Sequence, residues 1–288
     1  MPAETNNDAS AKRIRIISYQ PLVLDFPDFL HAVECQSIIR AVMRCAPNSP
    51  TFTCHDNQSL DPDDKRLLPE ESAVLNKLLS HVSDLLQTPT HKGEVKPRCG
   101  FTAAAAFKSR TLPRGLHVDT NRRERRFATA IVYLATLDEE ADGCTVFPCA
   151  RRGKAPAPAH DAAAKLLRAG HEHTLAVPCT HEDVKILHRS ALDDAALNLE
   201  PKVGRLAVFF SRDHNGKVDP ASWHGGAAVL QDPSTSHPGL PKGKWTMQIF
   251  KEVPRDAHCS IEAYAAERWR AIASRKGKHA SRVGQMRA

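Results

Sequence analysis

The chain has 288 residues, 41% of them hydrophobic, which is enough for one large domain or two small ones with a real core. Its formal charge of +7 at pH 7 is moderate, and its eight cysteines are scattered singly with no CxxC pair, so neither a zinc finger nor a disulfide scaffold is signalled. No apolar run reaches the roughly 18 residues of a membrane span. The opening "MPAETNNDASAKRIRI" also lacks the apolar centre of a secretory signal, so a reducing cytosol or nucleus is expected.

Residues 1–12 are short of aromatic residues and polar, and read as a disordered N-terminus. "RIRIISYQPLVLDF" follows as a strand-like run. In "DFLHAVECQSIIRAVMRC", Phe29, Val33, Ile38, Ile39, Val42 and Met43 recur at a helical period. Residues 47–70, rich in Pro, Asp and Ser, read as loop. "PEESAVLNKLLSHVSDLL" restores the helical stripe with Val74, Leu75, Leu78, Leu79, Val82, Leu85 and Leu86.

Beyond residue 90 the chain turns to short strands: "CGFTAAAAF", "RFATAIVYLAT", "CTVFP", "GRLAVFFS" and "KWTMQIFKE". In the last, Trp245, Met247 and Ile249 alternate with Thr246 and Gln248, the period of a half-buried strand. Helices become rare until about residue 260. Residues 150–200 look inserted between two strands: an Ala/Pro-rich linker runs into a short helix closed by Gly170. Helices followed by many strands imply an α+β layout or a helix-buttressed β sandwich.

The segment "RGLHVDT" sets His117 and Asp119 two residues apart. On a strand such residues point to one side. The pair is therefore either a surface ion pair or two thirds of a metal site. A non-haem Fe(II) centre of the two-histidine, one-carboxylate type needs one more histidine and keeps three open positions on one face. Among fifteen histidines, His224 in "DPASWHGGAAVL" stands at the start of a plausible strand, shortly before a cation in "GKWTMQIFKE". A buried cation there is tolerable only when paired with a carboxylate.

These blocks, with "VLDFPDFLHAVECQSII", "TAIVYLATLDEEADGCTVFP" and "PKVGRLAVFFSRD", occur in the order of one family. Over roughly residues 20–252 the chain resembles the prolyl 4-hydroxylase branch of the Fe(II)- and 2-oxoglutarate-dependent dioxygenases. The resemblance implies a mostly β core of the double-stranded β-helix (jelly-roll) type with N-terminal supporting helices, in an α+β fold. It makes His117, Asp119 and His224 the iron ligands. Lys244 matches the lysine that pairs with the distal carboxylate of 2-oxoglutarate, and Tyr133 falls where relatives place a hydroxyl near that carboxylate. The stretch "QDPSTSHPGLPK" lengthens the interval before Lys244, so Lys242 is a competing assignment. The implied co-substrates are 2-oxoglutarate and O2, the products succinate and CO2, and the reductant ascorbate. Presence of Asp119 favours hydroxylation over halogenation, and a lysine in place of the arginine of nucleic-acid demethylases argues against that class.

The implied reaction is hydroxylation of a prolyl residue in a protein or peptide. The alternatives are the same chemistry on a free amino acid or another side chain, and a non-catalytic binding or scaffold role. The run "NRRERR" places Arg122, Arg123, Arg125 and Arg126 just after Asp119. In relatives this connection folds over the substrate, so the four arginines are candidates for recruiting an acidic-flanked substrate or a nucleic-acid-bearing assembly. His171, His173, Cys179 and His181 cluster in "HEHTLAVPCTHED", yet their spacing matches no zinc pattern and reads as chance. The expected organisation is one catalytic domain over 13–257 with the insert near its rim, then a C-terminal helix and basic tail over 258–288. From Arg268 onward that tail has seven Lys/Arg and no acidic residue.

Overall fold

The computed structural model describes residues 14–45, 56–103, 114–121, 123–151, 157–230 and 241–274. In chain order come β1 (Arg15–Tyr19), β2 (Leu22–Phe26), α1 (Ala32–Cys45), β3 (Asp56–Ser59), α2 (Pro69–Leu86), β4 (Arg98–Ala103), β5 (Arg114–His117) and β6 (Arg126–Tyr133). They are followed by β7 (Thr145–Arg151), α3 (Ala157–Arg168), α4 (Glu182–Ala191), β8 (Ala196–Leu199), β9 (Leu206–Phe210), β10 (His224–Gly226), β11 (Gly243–Glu252) and α5 (Ile261–Ala273). Seven strands form one antiparallel sheet in the order β1-β2-β9-β6-β11-β4-β3, and four form another in the order β5-β10-β7-β8. The two sheets make a jelly roll with helices on its outside, an α+β fold.

Three apolar layers hold this arrangement. On the outer face of the large sheet, Trp245, Met247 and Ile249 of β11 pack with Ile38, Ile39 and Val42 of α1 and with Leu75, Leu78 and Val82 of α2. Those spacings are the helical stripe and the strand alternation read from the sequence. Between the sheets lie Val23, Ile131, Tyr133, Phe147, Leu197 and Phe209. On the outer face of the small sheet, Leu116, Val118 and Val146 pack beneath α3 and α4 through Ala162, Leu166, Val184 and Leu187. Strands β6 and β9 are covered on both faces, so every residue in them is buried and, Arg126 and Thr129 apart, their sequences run apolar without alternating.

Helix α2 begins with Pro69 in its first turn and ends at Gln87, whose φ of 49° is left-handed. A tight approach fixes the turn before β9: Gly204 has φ +78°, and a Cβ there would lie 2.0 Å from the Leu30 carbonyl oxygen. That turn is why α1 starts where it does, because Phe29 and Leu30 both donate their N–H groups to the Gly204 carbonyl, at 2.9 and 3.0 Å.

Several expectations change. The run 14–26 is a hairpin of β1 and β2, not one strand. The stretch 47–70, read as loop, contributes β3, an edge strand paired with β4. Helices are not rare between 90 and 260: the inserted region contains α4 as well as α3, and β8 completes the small sheet beside β7. The N-terminal 1–13 and the basic 275–288 lie outside the described residues. No helix among the described residues is long and apolar enough to cross a membrane.

Candidate metal centre

Strand β5 has one face for each job. Leu116 and Val118 pack outward beneath the helices. The opposite parity turns His117, the last residue of the strand, and Asp119, just beyond it, toward the interior. His224, the first residue of β10, is the direct cross-strand partner of His117. One donor atom each from His117, Asp119 and His224 lies within 4.8 Å of the others, and no other group of three or more potential metal ligands occurs among the described residues.

The ligand atoms are presented in a defined way. His117 Nδ1 lies 2.9 Å from the Gly115 carbonyl oxygen and His224 Nδ1 lies 2.9 Å from that of Ser222. A carbonyl oxygen only accepts, so both Nδ1 atoms carry the ring proton. Each Nε2 then faces Asp119, at 3.5 Å from Oδ1 for His117 and 3.7 Å from Oδ2 for His224. Orientation of a ligating imidazole by such a second hydrogen bond is the usual design of metal sites. Asp119 is held in turn: the Thr129 hydroxyl donates to its Oδ2, and Arg126 donates to its carbonyl oxygen at 3.2 Å.

The electrostatics follow from burial and neighbours. Burial pushes the Asp119 carboxyl up, but the facing His224 and His117 outweigh it and hold the group well below the usual carboxylate range. Burial lowers His224 to about 4, so its imidazole is neutral near pH 7. For His117 burial is opposed and overcome by Asp119, and its pKa is raised. Phe147 stacks on the His224 ring at 5.4 Å and Phe209 meets it edge-on at 4.7 Å, so the inner wall of the site is aromatic and dry. Two imidazoles and one carboxylate, all on one side of a point, are the donor set that Fe(II) takes in its three-ligand sites.

Lys244, on β11, points between the sheets. Its Nζ is 5.8 Å from the centroid of the Tyr133 ring and 3.8 Å from where a Cβ on Gly226 would sit, two residues along β10 from His224. It is only 8% exposed, and burial lowers its pKa to about 8. Among the described residues no carboxylate forms an ion pair with it. Lys242 lies outside the strand and is exposed. Tyr133 is fully buried, and its hydroxyl donates to Thr145 Oγ1 at 2.8 Å. Asp142 and Cys144 act on it from a distance, and a buried ammonium with no ion-paired carboxylate among the described residues fits a site that receives a carboxylate from outside.

The arginine run divides. Arg126 opens β6 and is buried: its guanidinium lies 3.9 Å over the Phe250 ring, and Nε is 3.4 Å from Glu252 Oε1. Arg125 is folded back onto the Val253 and Pro254 carbonyls. The loop itself is gripped from behind by Arg212, which donates to the Arg126 carbonyl at 3.1 Å. These two arginines are therefore occupied inside the fold rather than free to take a substrate. Arg123 is exposed, with its Nη1 4.0 Å from the same Glu252 Oε1, and Arg122 lies outside the described residues.

Two site residues escaped the sequence reading. Thr129 shares inward parity with Ile131 and Tyr133 on β6, a signal that strand alternation does carry. His173, set aside as chance, stacks on His117 with ring centroids 5.5 Å apart and planes 15° from parallel. His181 instead accepts the Asp183 N–H at the start of α4, and Cys179 is an exposed thiol.

No protein-family model matches the chain. Among characterised sequences it is 23% identical over 226 residues to probable prolyl 4-hydroxylase 10 of Arabidopsis thaliana, covering 76% of this chain and 68% of that one. It is 21% identical to prolyl 4-hydroxylase 5 of the same plant, covering 76% and 67%. Among solved structures it is similar to the viral collagen prolyl hydroxylase of Paramecium Bursaria Chlorella virus-1 in its 2OG complex, with TM-score 0.45, 16% identity, and 81% and 96% of the two chains covered. A Pseudomonas putida prolyl-4-hydroxylase gives TM-score 0.40 and 14% identity, with 81% and 93% covered.

Proposed function

We propose that this chain, a prolyl 4-hydroxylase-like member of the Fe(II)- and 2-oxoglutarate-dependent dioxygenases, hydroxylates a prolyl residue of a protein or peptide, forming succinate and CO2 from 2-oxoglutarate. The observation that carries this reading is the meeting of His117, Asp119 and His224 where the end of β5 faces the start of β10. When bound, Fe(II) supplies a redox-active centre at which 2-oxoglutarate and O2 react and a substrate C–H bond is oxidised, with ascorbate as the reductant that returns spent metal to the ferrous state.

The residues divide the remaining work. His117, Asp119 and His224 hold the metal from one side and leave the other open for exchangeable ligands. Lys244 receives the distal carboxylate of 2-oxoglutarate and orients it, and the neighbouring Tyr133–Thr145 hydroxyl pair gives that carboxylate a second polar contact. Phe147 and Phe209 exclude water from the inner wall, which strengthens each charge contact made there. Positioning and exclusion of side reactions are the protein's share of such chemistry.

The partner is a protein or peptide. Arg123, on the rim beside the Asp119 turn, supports a substrate with acidic flanks, and the chain's positive charge is compatible with a nucleic-acid-bearing assembly. Cysteines scattered singly along the sequence, with no CxxC pair, support a reducing compartment, the cytosol or nucleus. The catalytic unit we infer spans 13–257, followed by α5 and the basic tail. Anaerobic loading with Fe(II), then measurement of succinate with and without a proline-rich peptide pool, tests the reading beside His117→Ala. Peptide-stimulated succinate, with a gain of one oxygen mass on proline that the variant loses, is expected. Absence of iron binding by the unaltered chain would overturn it.

A further inference from the structure

Strand β5 has only four residues and ends at a metal ligand, and β10 supports just one of its edges. The other edge is met by a piece of the inserted region. His173 bridges to His117 in antiparallel register. The Val118 N–H donates to the Glu172 carbonyl at 3.0 Å, and the Thr120 hydroxyl donates to Glu172 Oε1 at 3.2 Å. Main chain and side chain thus tie the strand on both sides of Asp119. We propose that residues 171–175 are a clamp that sets the ligand strand, and that His173 is a positioning residue for His117.

The ring contact is built from both sides. His173 stacks on His117, while its Nδ1 accepts the Leu175 N–H at 3.0 Å, so the following 3-10 turn fixes its own orientation. Gly115 has φ +64°, and a Cβ there would stand 2.7 Å from His173 Cε1. A glycine at 115 is what lets the second ring close over the strand. The support falls where it is needed: the His117 side chain is 33% exposed, against 6% for both Asp119 and His224. A half-buried imidazole with one hydrogen bond to its own strand, and with the His224 ring tilted 49° to it at 4.5 Å, keeps some freedom to rotate. A parallel ring against its face removes that freedom. The clamp is anchored at its far end, where the His171 N–H donates to the Leu166 carbonyl at the end of α3 and Thr174 is buried.

The inference rests on the metal reading of the site, and the test separates the two. Full-length protein is titrated with Co(II), used as the probe, by calorimetry and by its ligand-field absorption. Thermal midpoints of the metal-free proteins serve as the folding control. His173→Ala is expected to weaken Co(II) binding about tenfold or more and to alter the absorption band. His173→Phe, which keeps a stacking face, restores most of both. Thr120→Val, which cuts the side-chain tie without touching any ring, weakens binding by a smaller factor and carries the test should His173→Ala not fold. Wild-type affinity and an unchanged spectrum in His173→Ala, or in Thr120→Val where the alanine variant is unfolded, overturn the clamp while leaving the metal centre intact. No Co(II) binding by the unaltered protein overturns both.

Discussion

Replacing Lys244 with methionine keeps most of the side chain's length and removes its charge, and the two consequences should have opposite signs. Burial lowers the Lys244 pKa from 10.5 to about 8. At about 1.4 kcal/mol per tenfold, the charged form costs the empty protein about 3 kcal/mol. Exposure of only 8% means solvent does little to screen that cost. The folded-state pKa lies below the unfolded one. Below pH 8 both states are protonated and the cost is fully present; between 8 and 10.5 the unfolded chain binds more protons, so stability climbs with pH.

The metal-free Lys244→Met protein should therefore melt roughly 5 °C higher than the parent at pH 7. The same change should weaken 2-oxoglutarate binding about 100-fold, since a buried carboxylate would face no cation. Calorimetric melts with and without 2-oxoglutarate read both effects in one experiment. The parent should also lose 2-oxoglutarate affinity as pH rises past 8, and the variant should not. An empty variant less stable than the parent, or one that still binds 2-oxoglutarate as the parent does, would refute the argument.

Three further substitutions probe the frame. Thr129→Val removes the hydroxyl that donates to Asp119 and should weaken metal binding about tenfold, read by titration with Co(II) while the melt of the metal-free protein stays close to the parent's. Asp219 precedes the turn into Trp223 and His224, and burial raises its pKa from 3.8 to about 6. Its ionisation therefore costs the fold stability, which is lost as pH rises from 3.8 through 6. Asp219→Asn keeps an oxygen for the Ala221 N–H and should stabilise the protein by up to about 3 kcal/mol at pH 7 and not at pH 3, by denaturant titration. Gly204→Ala must fit a Cβ 2.0 Å from the Leu30 oxygen at φ +78°, so a loss of about 3 kcal/mol or more is expected in a urea melt; a loss below about 1 would show that the turn gives way.

Elements with one dry face were legible in the sequence and elements held by distant partners were not. Helix α2 runs from Pro69 to Leu86, the bounds its leucine stripe suggests, and β11 splits Trp245, Met247 and Ile249 from Lys244 and Thr246 as its alternation does. Helix α4 is hard to read from the sequence because only Val184, Leu187 and Ala191 of its ten residues are buried and the residue capping its start is a histidine. Strand β3, "DNQS", has no apolar period at all; it exists because β4 offers an edge. The arginine run shows the same limit. "NRRERR" looks uniformly solvated, yet Arg126 opens a strand buried on both faces and meets Glu252, 126 residues away. Nothing local distinguishes it from Arg123. His173 likewise gains its meaning only when α3 turns the chain back toward β5.

The apolar residues opposite the site determine its geometry as much as the ligands do. His117 and Asp119 face inward because Leu116 and Val118, on the other parity, are sealed beneath α3 and α4. A slip of one residue in β5 would put Leu116 where a ligand belongs and bury His117 among alanines and leucines. The apolar packing behind the strand and the antiparallel pairing of His117 with His224 both oppose that slip. Neither depends on a metal. The ligand directions are thus set by the folded chain before any ion arrives, and metal affinity reflects how firmly β5 is held as well as which donors it carries. That is why residues touching no donor atom, in the helices over Leu116 and in the segment that meets the strand's second edge, belong to the chemistry of the site.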